Sequence, residues 1–279
     1  MAHTEMELLA WGYGLIEGPR VDSDDNLYFS DVPNGGVYRR SLSGEVQTVI
    51  PKRRGVGGIL FHADGGLVVG GRNVQHVKDG DVRVLFEPGE GGSLNDMHAD
   101  GAGRIYTGTI RSDPFSDSGE RVPGECWRID GEGESVQLYD DVTLSNGIGL
   151  SPDGTVIYHS DTGRGQIVAH DVTADGCANR RPFATLERGR PDGLAVDTEG
   201  GLWVAAYEGG CVARYGLDGQ LLGYLEVPAN GVTSLCFGGS DLRDLYIVTS
   251  DNTEDPSRQG SIFRTRAPVA GQPPPVARV

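Results

Sequence analysis

Apolar and polar positions alternate along this chain in a phrase that occurs six times. Each copy has a short apolar strand, then a turn rich in Asp and Gly, then a second apolar strand that contains aromatic residues. Short runs of this kind, bounded by turn residues, predict β-strands joined as hairpins. Aligned on this pattern, the copies begin at Glu17, Gly57, Asn95, Asn146, Asp192 and Thr233.

The copies start 38 to 51 residues apart, a spacing typical of β-propellers built from four-stranded blades. There is room for two further strands between successive copies, and sustained helical periodicity is almost absent. We therefore expect an all-β fold, a six-bladed β-propeller with four-stranded blades. It forms a single domain over residues 1–266. Residues 267–279 form a Pro-rich C-terminal tail, which we expect not to pair with a strand.

The last blade is one strand short. Its pattern predicts strands near 233–238, 244–250 and 260–266 only. The segment 6–11 precedes the first copy and has strand character. We expect this N-terminal strand to complete the last blade and close the ring, because closure removes an exposed sheet edge.

The composition limits which kinds of partner and site the protein is expected to have. The 279 residues carry a formal net charge of −16, which argues against nucleic acid or an anionic membrane as a partner. The four cysteines form no CxxC motif, so neither a disulfide framework nor a zinc cluster is predicted. The sequence shows neither a signal-peptide pattern nor a long apolar run. These features favour a cytoplasmic protein, a monomer or a weak homo-oligomer.

Four of the six equivalent positions carry side-chain oxygens, and equivalent positions on the innermost strands of a propeller converge on its axis. These residues are Glu17, Asn95, Asn146 and Asp192. Two carboxylates and two amides, with no His or Cys, form a set that suits a hard cation such as Ca²⁺ or Mg²⁺, while Mn²⁺ and Zn²⁺ are also compatible. The simpler alternative is that these side chains only bond neighbouring blades or channel water.

Other polar residues give weaker signals. Asp31 and Asp161 occupy matching places on second strands, where hydrogen bonding at a strand end is the favoured interpretation. His98 is interpreted as a satisfied blade histidine and Cys177 as a turn residue. Asp96 lies one position outside the alignment, so its side chain is expected to point away from the axis.

Three residues are candidates for contact with a polyhydroxyl substrate from the rim, namely Arg72, Ser93 and Arg111. The longest step between copies contains a polar segment, 111–122, which reads as an inserted loop. Insertions in repeat folds gather on the binding face, although a surface loop without a role fits the sequence equally well.

Three segments resemble the gluconolactonase/regucalcin (senescence marker protein) family: LIEGP at 15–19, LSNG at 144–147 and RPDGLAVD at 190–197. The likeness extends to about residue 266. Asn95-Asp96 also resembles the family's Asn-Asp-Gly stretch, with Met97 in place of the Gly. Sugar-lactone members tend to have an Arg two residues before the Asn, where this chain has Ser93.

The resemblance implies a propeller that holds one divalent cation, with Glu17, Asn146 and Asp192 as ligands and Asn95 binding substrate or metal. Ca²⁺ is the favoured ion, with Zn²⁺, Mn²⁺ or Mg²⁺ as alternatives. The family's reaction is hydrolysis of sugar lactones, and some members open other lactones or cleave organophosphates. By this resemblance Asp192 is also the general base.

We therefore expect a metal-dependent hydrolase that opens a small-molecule lactone, with Asp192 as the catalytic residue and Asn95, Ser93 and Arg111 as substrate contacts. Two alternatives remain open at the level of the sequence. One is an organophosphate or phosphoester hydrolase that uses the same metal. The other is a non-catalytic propeller that binds Ca²⁺ or a protein.

Overall fold

A computed structural model describes residues 5–113, 121–131 and 134–279. Its regular structure is almost entirely β-strand, interrupted by single turns of 3₁₀ helix at Thr162–Arg164 and Pro256–Arg258. Six antiparallel sheets form the blades, and each blade has four adjacent strands. This confirms the predicted all-β, six-bladed β-propeller.

The strands are numbered in chain order, beginning with β1 at Glu7–Tyr13. Blades 1 and 2 contain β2 to β9, which are Ile16–Val21, Leu27–Asp31, Val37–Arg40, Val46–Ile50, Ile59–His62, Leu67–Val69, Val74–Lys78 and Asp81–Phe86. Blades 3 and 4 contain β10 to β17, which are Ser93–Ala99, Ile105–Ile110, Gly124–Ile129, Ser135–Val142, Ser145–Leu150, Val156–Asp161, Gln166–Val172 and Cys177–Thr185. Blades 5 and 6 contain β18 to β24, which are Arg190–Val196, Leu202–Tyr207, Cys211–Tyr215, Leu221–Glu226, Val232–Gly238, Asp244–Thr249 and Gly260–Arg266. The short strand β25 is Val276–Ala277.

The first strand of each blade is the innermost one. Strands β2, β6, β10, β14, β18 and β22 each contact the first strand of the blade on either side, so they form a closed ring around a central channel. The apolar core lies between blades, because each sheet presents an apolar face to its neighbour. Trp203 of blade 5, for example, is 1% exposed and meets Phe237 of blade 6 edge-on, with ring centroids 5.9 Å apart.

The ring closes as the missing strand predicts. Strand β1 pairs antiparallel with β24, with Glu7 opposite Arg264 and Tyr13 opposite Gly260. Blade 6 therefore combines the N-terminal strand with the three strands of the last repeat, and the observed strand runs two residues beyond the predicted segment. The closure covers an edge that would otherwise offer free N–H and C=O groups.

The C-terminal tail pairs with a blade, contrary to the expectation from its prolines. Val276 and Ala277 run parallel to β6 and add a fifth strand to the inner side of blade 2. The prolines are confined to the preceding residues, and non-proline residues keep the backbone N–H that a strand needs. On its way the tail bonds blade 4, where Gln272 Nε2 donates to the Leu150 carbonyl at 3.0 Å. It thereby covers one end of the channel.

Candidate functional site

A β-bulge occurs at the same place in four of the innermost strands, and each of these strands carries one of the four predicted axial residues. In β2, β10, β14 and β18 the pairing with the next strand advances three residues on the inner strand and two on its partner. The extra residue breaks the strict in-and-out alternation of side chains and bends the strand. The bulges therefore re-aim residues at one end of the channel.

One cavity of about 390 Å³ lies at this end, opposite the end that the tail covers. All four predicted axial residues line it, and we call them the axial cluster: Glu17, Asn95, Asn146 and Asp192. The four side chains that the alignment of the six repeats brings to the axis thus line one cavity. Of the two exceptions in the alignment, Gly57 also lines the cavity, beside Asn95, where a side chain would leave no room.

The two acids of the axial cluster lie in a site that disfavours their ionised forms. Glu17 is 7% and Asp192 is 6% exposed. Burial, followed by the repulsion of neighbouring carboxylates, raises the pKa of both side chains well above its usual range. The Gly193 N–H bonds the carboxylate of Asp192, while Asp192 Oδ1 is buried without a hydrogen-bond partner. Such a group calls for a cation or a donor from outside the chain.

Thr162 fixes the orientation of the Asn146 amide. The Thr162 hydroxyl donates to the Pro191 carbonyl at 2.6 Å, so it accepts a hydrogen bond from Asn146 Nδ2 at 2.8 Å. The Asn146 carbonyl oxygen is thereby turned towards Asn95, whose Nδ2 contacts it and also donates to the Ser145 carbonyl at 3.0 Å. One amide oxygen is thus held in place next to the two acids.

The structure corrects the prediction for Asp96, which does not point away from the axis. It is 5% exposed, lies 3.5 Å from an Arg20 guanidinium nitrogen, and is close enough to Glu17 and Asp192 to raise the pKa of both. The cause is the bulge between Leu94 and Met97, which allows two successive residues to face inward. A strict period of two could not reveal this third carboxylate.

The acids on the second strands act at strand ends, as the simpler interpretation predicts. Asp31 Oδ2 accepts from the Gly14 N–H at 3.1 Å. Asp161 accepts from the Thr143 N–H at 3.1 Å and pairs with Arg164 at 2.9 Å. These carboxylates tie loops to blades and are not among the side chains that line the cavity.

The three predicted rim residues differ in their position relative to the cavity. Ser93 and Arg72 line the cavity, and Arg72 is mostly exposed. Arg111 is instead held by Glu125, with an Nη2–Oε2 distance of 2.9 Å, so its guanidinium is already engaged beside the cavity. Residues 114–120 of the predicted inserted loop lie outside the described residues, so its binding role stays a prediction.

His98 lies on β10, in a blade as predicted. The structure corrects the interpretation of Cys177 as a turn residue, because Cys177 begins β17 and pairs with Val172. His98 lines the end of the channel that the tail covers, and burial lowers its pKa to about 3, so it is neutral. Cys177 is a free, partly buried thiol whose pKa burial raises to about 11. Neither side chain reaches the axial cluster.

Two polar residues of the cavity, Thr162 and Tyr207, were missed by sequence reasoning. Thr162 follows the second strand of blade 4, and Tyr207 ends the second strand of blade 5. The repeat alignment considered the first strand of each copy, whereas these residues enter from the loop side of second strands. Asp192 contributes to raising the Tyr207 pKa, after burial, which places the two side chains near each other.

The donor set fits a hard divalent cation. Over the described part of the chain there is no group of three His, Cys, Asp or Glu side chains suited to a metal. The axial cluster instead combines two acids with amide oxygens, the ligands that Ca²⁺ and Mg²⁺ prefer. A cation there would offset the repulsion between buried carboxylates and give Asp192 Oδ1 a partner.

No helix of the described residues is long and apolar enough to cross a membrane.

Comparison with known proteins agrees with this site. The pattern described as SMP-30/Gluconolactonase/LRE-like region matches residues 15–251. The chain belongs to this family. Pentonolactonase XacC of Haloferax volcanii is 31% identical over 281 aligned residues, 93% of each chain. The 6-deoxy-6-sulfogluconolactonase of Pseudomonas putida is 33% identical over 263, 88% of each chain.

The fold of the family is also that of a solved structure, a luciferin-regenerating enzyme. It superimposes with a TM-score of 0.89 at 25% identity, covering 99% of this chain and 100% of the other. The family membership predicted from the three short motifs is therefore confirmed.

Proposed function

We propose that this chain is a divalent-metal-dependent lactonase that opens a lactone to its hydroxy acid at the axial cluster. Its family and its two lactonase relatives support the enzyme class. The observation that carries the chemistry is Asp192 Oδ1, a buried carboxylate oxygen without a partner, at the base of a cavity that a small molecule can enter.

Glu17, Asn146 and Asp192 are the proposed metal ligands, with Asn95 completing the shell or holding the substrate. Divalent-metal dependence is a property of the family. The all-oxygen set favours Ca²⁺, which takes six to eight oxygens and would leave positions for water and substrate beside these few protein ligands. Zn²⁺, Mn²⁺ and Mg²⁺ remain alternatives to be compared by experiment.

The cation, when bound, supplies Lewis-acid polarisation of the lactone carbonyl. Asp192 holds the attacking water through the carboxylate oxygen that does not bind the cation, and it accepts the proton of this water as the C–O bond forms. The ring C–O bond then breaks, and the same proton passes from Asp192 to the leaving alkoxide, so the side chain is ionised again. Asn95 orients the substrate through its amide oxygen, because its Nδ2 already donates to Ser145 and contacts Asn146. Ser93 contacts the substrate from the wall. Arg111 would contribute only at the edge, because Glu125 holds it.

A pH-indicator assay with chelated and refilled protein tests this function. Ca²⁺, Mg²⁺, Mn²⁺ and Zn²⁺ are compared on an aldonolactone, an aliphatic lactone and a phosphotriester. Acid release from a lactone that disappears on chelation and returns with metal supports the proposal. Turnover of the phosphotriester alone would reassign the enzyme as a phosphoester hydrolase. Tight metal binding without any turnover would favour a non-catalytic propeller.

A further inference from the structure

The cavity above the axial cluster has mostly apolar walls. Apart from glycines, the wall residues without charge or a free hydroxyl are Leu15, Val32, Leu94, Ile110, Leu144 and Tyr207. They come from blades 1, 3, 4 and 5, so they surround the cluster on several sides. Leu15, Val32 and Ile110 are only half-buried, which leaves apolar surface facing the cavity.

Outside the axial cluster, four polar side chains line these walls, and two of them are already engaged. The Thr162 hydroxyl bonds Pro191 and Asn146, and the Tyr207 hydroxyl bonds Ser250. Among the described residues, the side chains left to bond substrate hydroxyls are therefore Ser93 and the exposed Arg72 on the walls, beside the amide oxygen of Asn95 in the axial cluster.

Three of the four wall glycines add no donors. The N–H groups of these three donate to the backbone carbonyls of Val32, Leu94 and Gly89, and these glycines are Gly55, Gly71 and Gly92. They widen the cavity without offering hydrogen bonds to a substrate. These glycines contribute to recognition only by leaving room for the substrate.

We propose, on the basis of the lactonase function above, that the preferred substrate is a lactone with an apolar alkyl or aryl substituent and not a polyhydroxylated one. A polyhydroxylated lactone brings more hydroxyls into this cavity than the few free polar side chains can pair, and each unpaired hydroxyl opposes binding. A methylene that leaves water gains about fourfold in affinity, equivalent to ~0.8 kcal/mol. The volume of about 390 Å³ suits a small lactone ring with a short substituent.

The first test needs no variant. kcat/KM is measured with metal-loaded protein for γ-butyrolactone and its 5-methyl, 5-propyl and 5-hexyl derivatives, beside gluconolactone. We expect kcat/KM to rise by about fourfold per methylene until the wall is filled, and gluconolactone to fall below the best alkyl lactone. A flat alkyl series, or gluconolactone more than tenfold better than every alkyl lactone, would overturn the apolar preference and leave the lactonase assignment standing.

A variant pair locates the preference in the wall. Val32→Thr keeps the shape and replaces a methyl by a hydroxyl, and the matched control Val84→Thr changes a valine that is 48% exposed on β9. We expect the ratio of kcat/KM for the 5-hexyl lactone to kcat/KM for γ-butyrolactone to fall by about tenfold in Val32→Thr and to stay unchanged in Val84→Thr. An equal loss on both substrates would show a general defect and contradict the wall assignment. Unchanged thermal unfolding confirms the fold.

Binding separates the two proposals. Calorimetric titration of metal-loaded protein with 5-hexyl-2-pyrrolidinone and with gluconolactam, which resist hydrolysis, reports on the cavity without the reaction. If no lactone is opened but the alkyl lactam binds more tightly, the lactonase function fails and the apolar site stands. If the sugar lactam binds more tightly, the apolar preference fails whatever the reaction.

Discussion

Replacement of Thr162 by Val should weaken metal binding although Thr162 is not itself a proposed ligand. The change is almost isosteric and removes one hydroxyl. That hydroxyl joins Asn146 Nδ2, at 2.8 Å, to the Pro191 carbonyl, at 2.6 Å. Without it the Asn146 amide can rotate, and its oxygen no longer faces the axial cluster in a single orientation.

The magnitude follows from the two hydrogen bonds. Each contributes about 0.5–1.5 kcal/mol net, so Thr162→Val loses ~1–3 kcal/mol. Part of this loss lowers the free energy of unfolding, because Thr162 is 6% exposed and both partners are left unpaired. The rest of the loss weakens the metal complex and raises the cation Kd by about 10-fold, within the range known for residues that orient metal ligands.

Calorimetric titration of chelated protein with Ca²⁺ measures this change, and urea unfolding measures the stability. Thr162→Ser is the matched control, because it keeps the hydroxyl and removes only the methyl, and it should retain a cation Kd close to that of the wild type. If Thr162→Val binds the cation as tightly as Thr162→Ser does, Asn146 is oriented by something other than this bond, and the reasoning is refuted.

The remaining predictions concern the cluster and the fold. Asp192→Asn should lower kcat by about 10²–10⁴-fold at saturating metal while some cation stays bound. Glu17→Gln should mainly weaken cation binding, and excess cation should partly restore its activity. A near-native kcat in Asp192→Asn would show that Asp192 is only a metal ligand. Gly57→Ala places a Cβ against Asn95, 2.9 Å from its Cγ and 3.0 Å from its Cα, so kcat/KM should fall by about tenfold, as expected for ~1–3 kcal/mol of overpacking; an unchanged kcat/KM would show that the Asn95 position is not critical. Burial lowers the pKa of His159 to about 3, below its ordinary value, so the unfolded chain takes up this proton first and stability should fall as the pH drops from about 6.5 towards 3. Urea unfolding at pH 7 and pH 5 should show a smaller loss in His159→Gln, by up to ~1.4 kcal/mol per pH unit, and equal pH slopes would rule this histidine out as a source.

The ring and most of the site could be predicted because both depend on repetition. Six copies of one hairpin phrase specify six blades, and a last blade short of one strand specifies its partner at the N-terminus. Equivalent positions in equivalent strands must occupy equivalent places around an axis, so Glu17, Asn95, Asn146 and Asp192 could be brought together without any short motif joining them. The same logic missed Thr162, because it belongs to a turn that the repeat does not share.

The sequence by itself determined the repeat, the closure of the ring and the oxygen-bearing residues that face the axis. Only the tertiary structure decided which side chains change direction at the bulges, so that Asp96 joins the buried acids. It also decided that the tail pairs with β6, and that apolar residues from four blades meet around one cavity. The physical reason is that alternation and turn signals act within one hairpin, whereas bulges, cavity walls and the pairing of a tail depend on contacts between segments far apart in the chain.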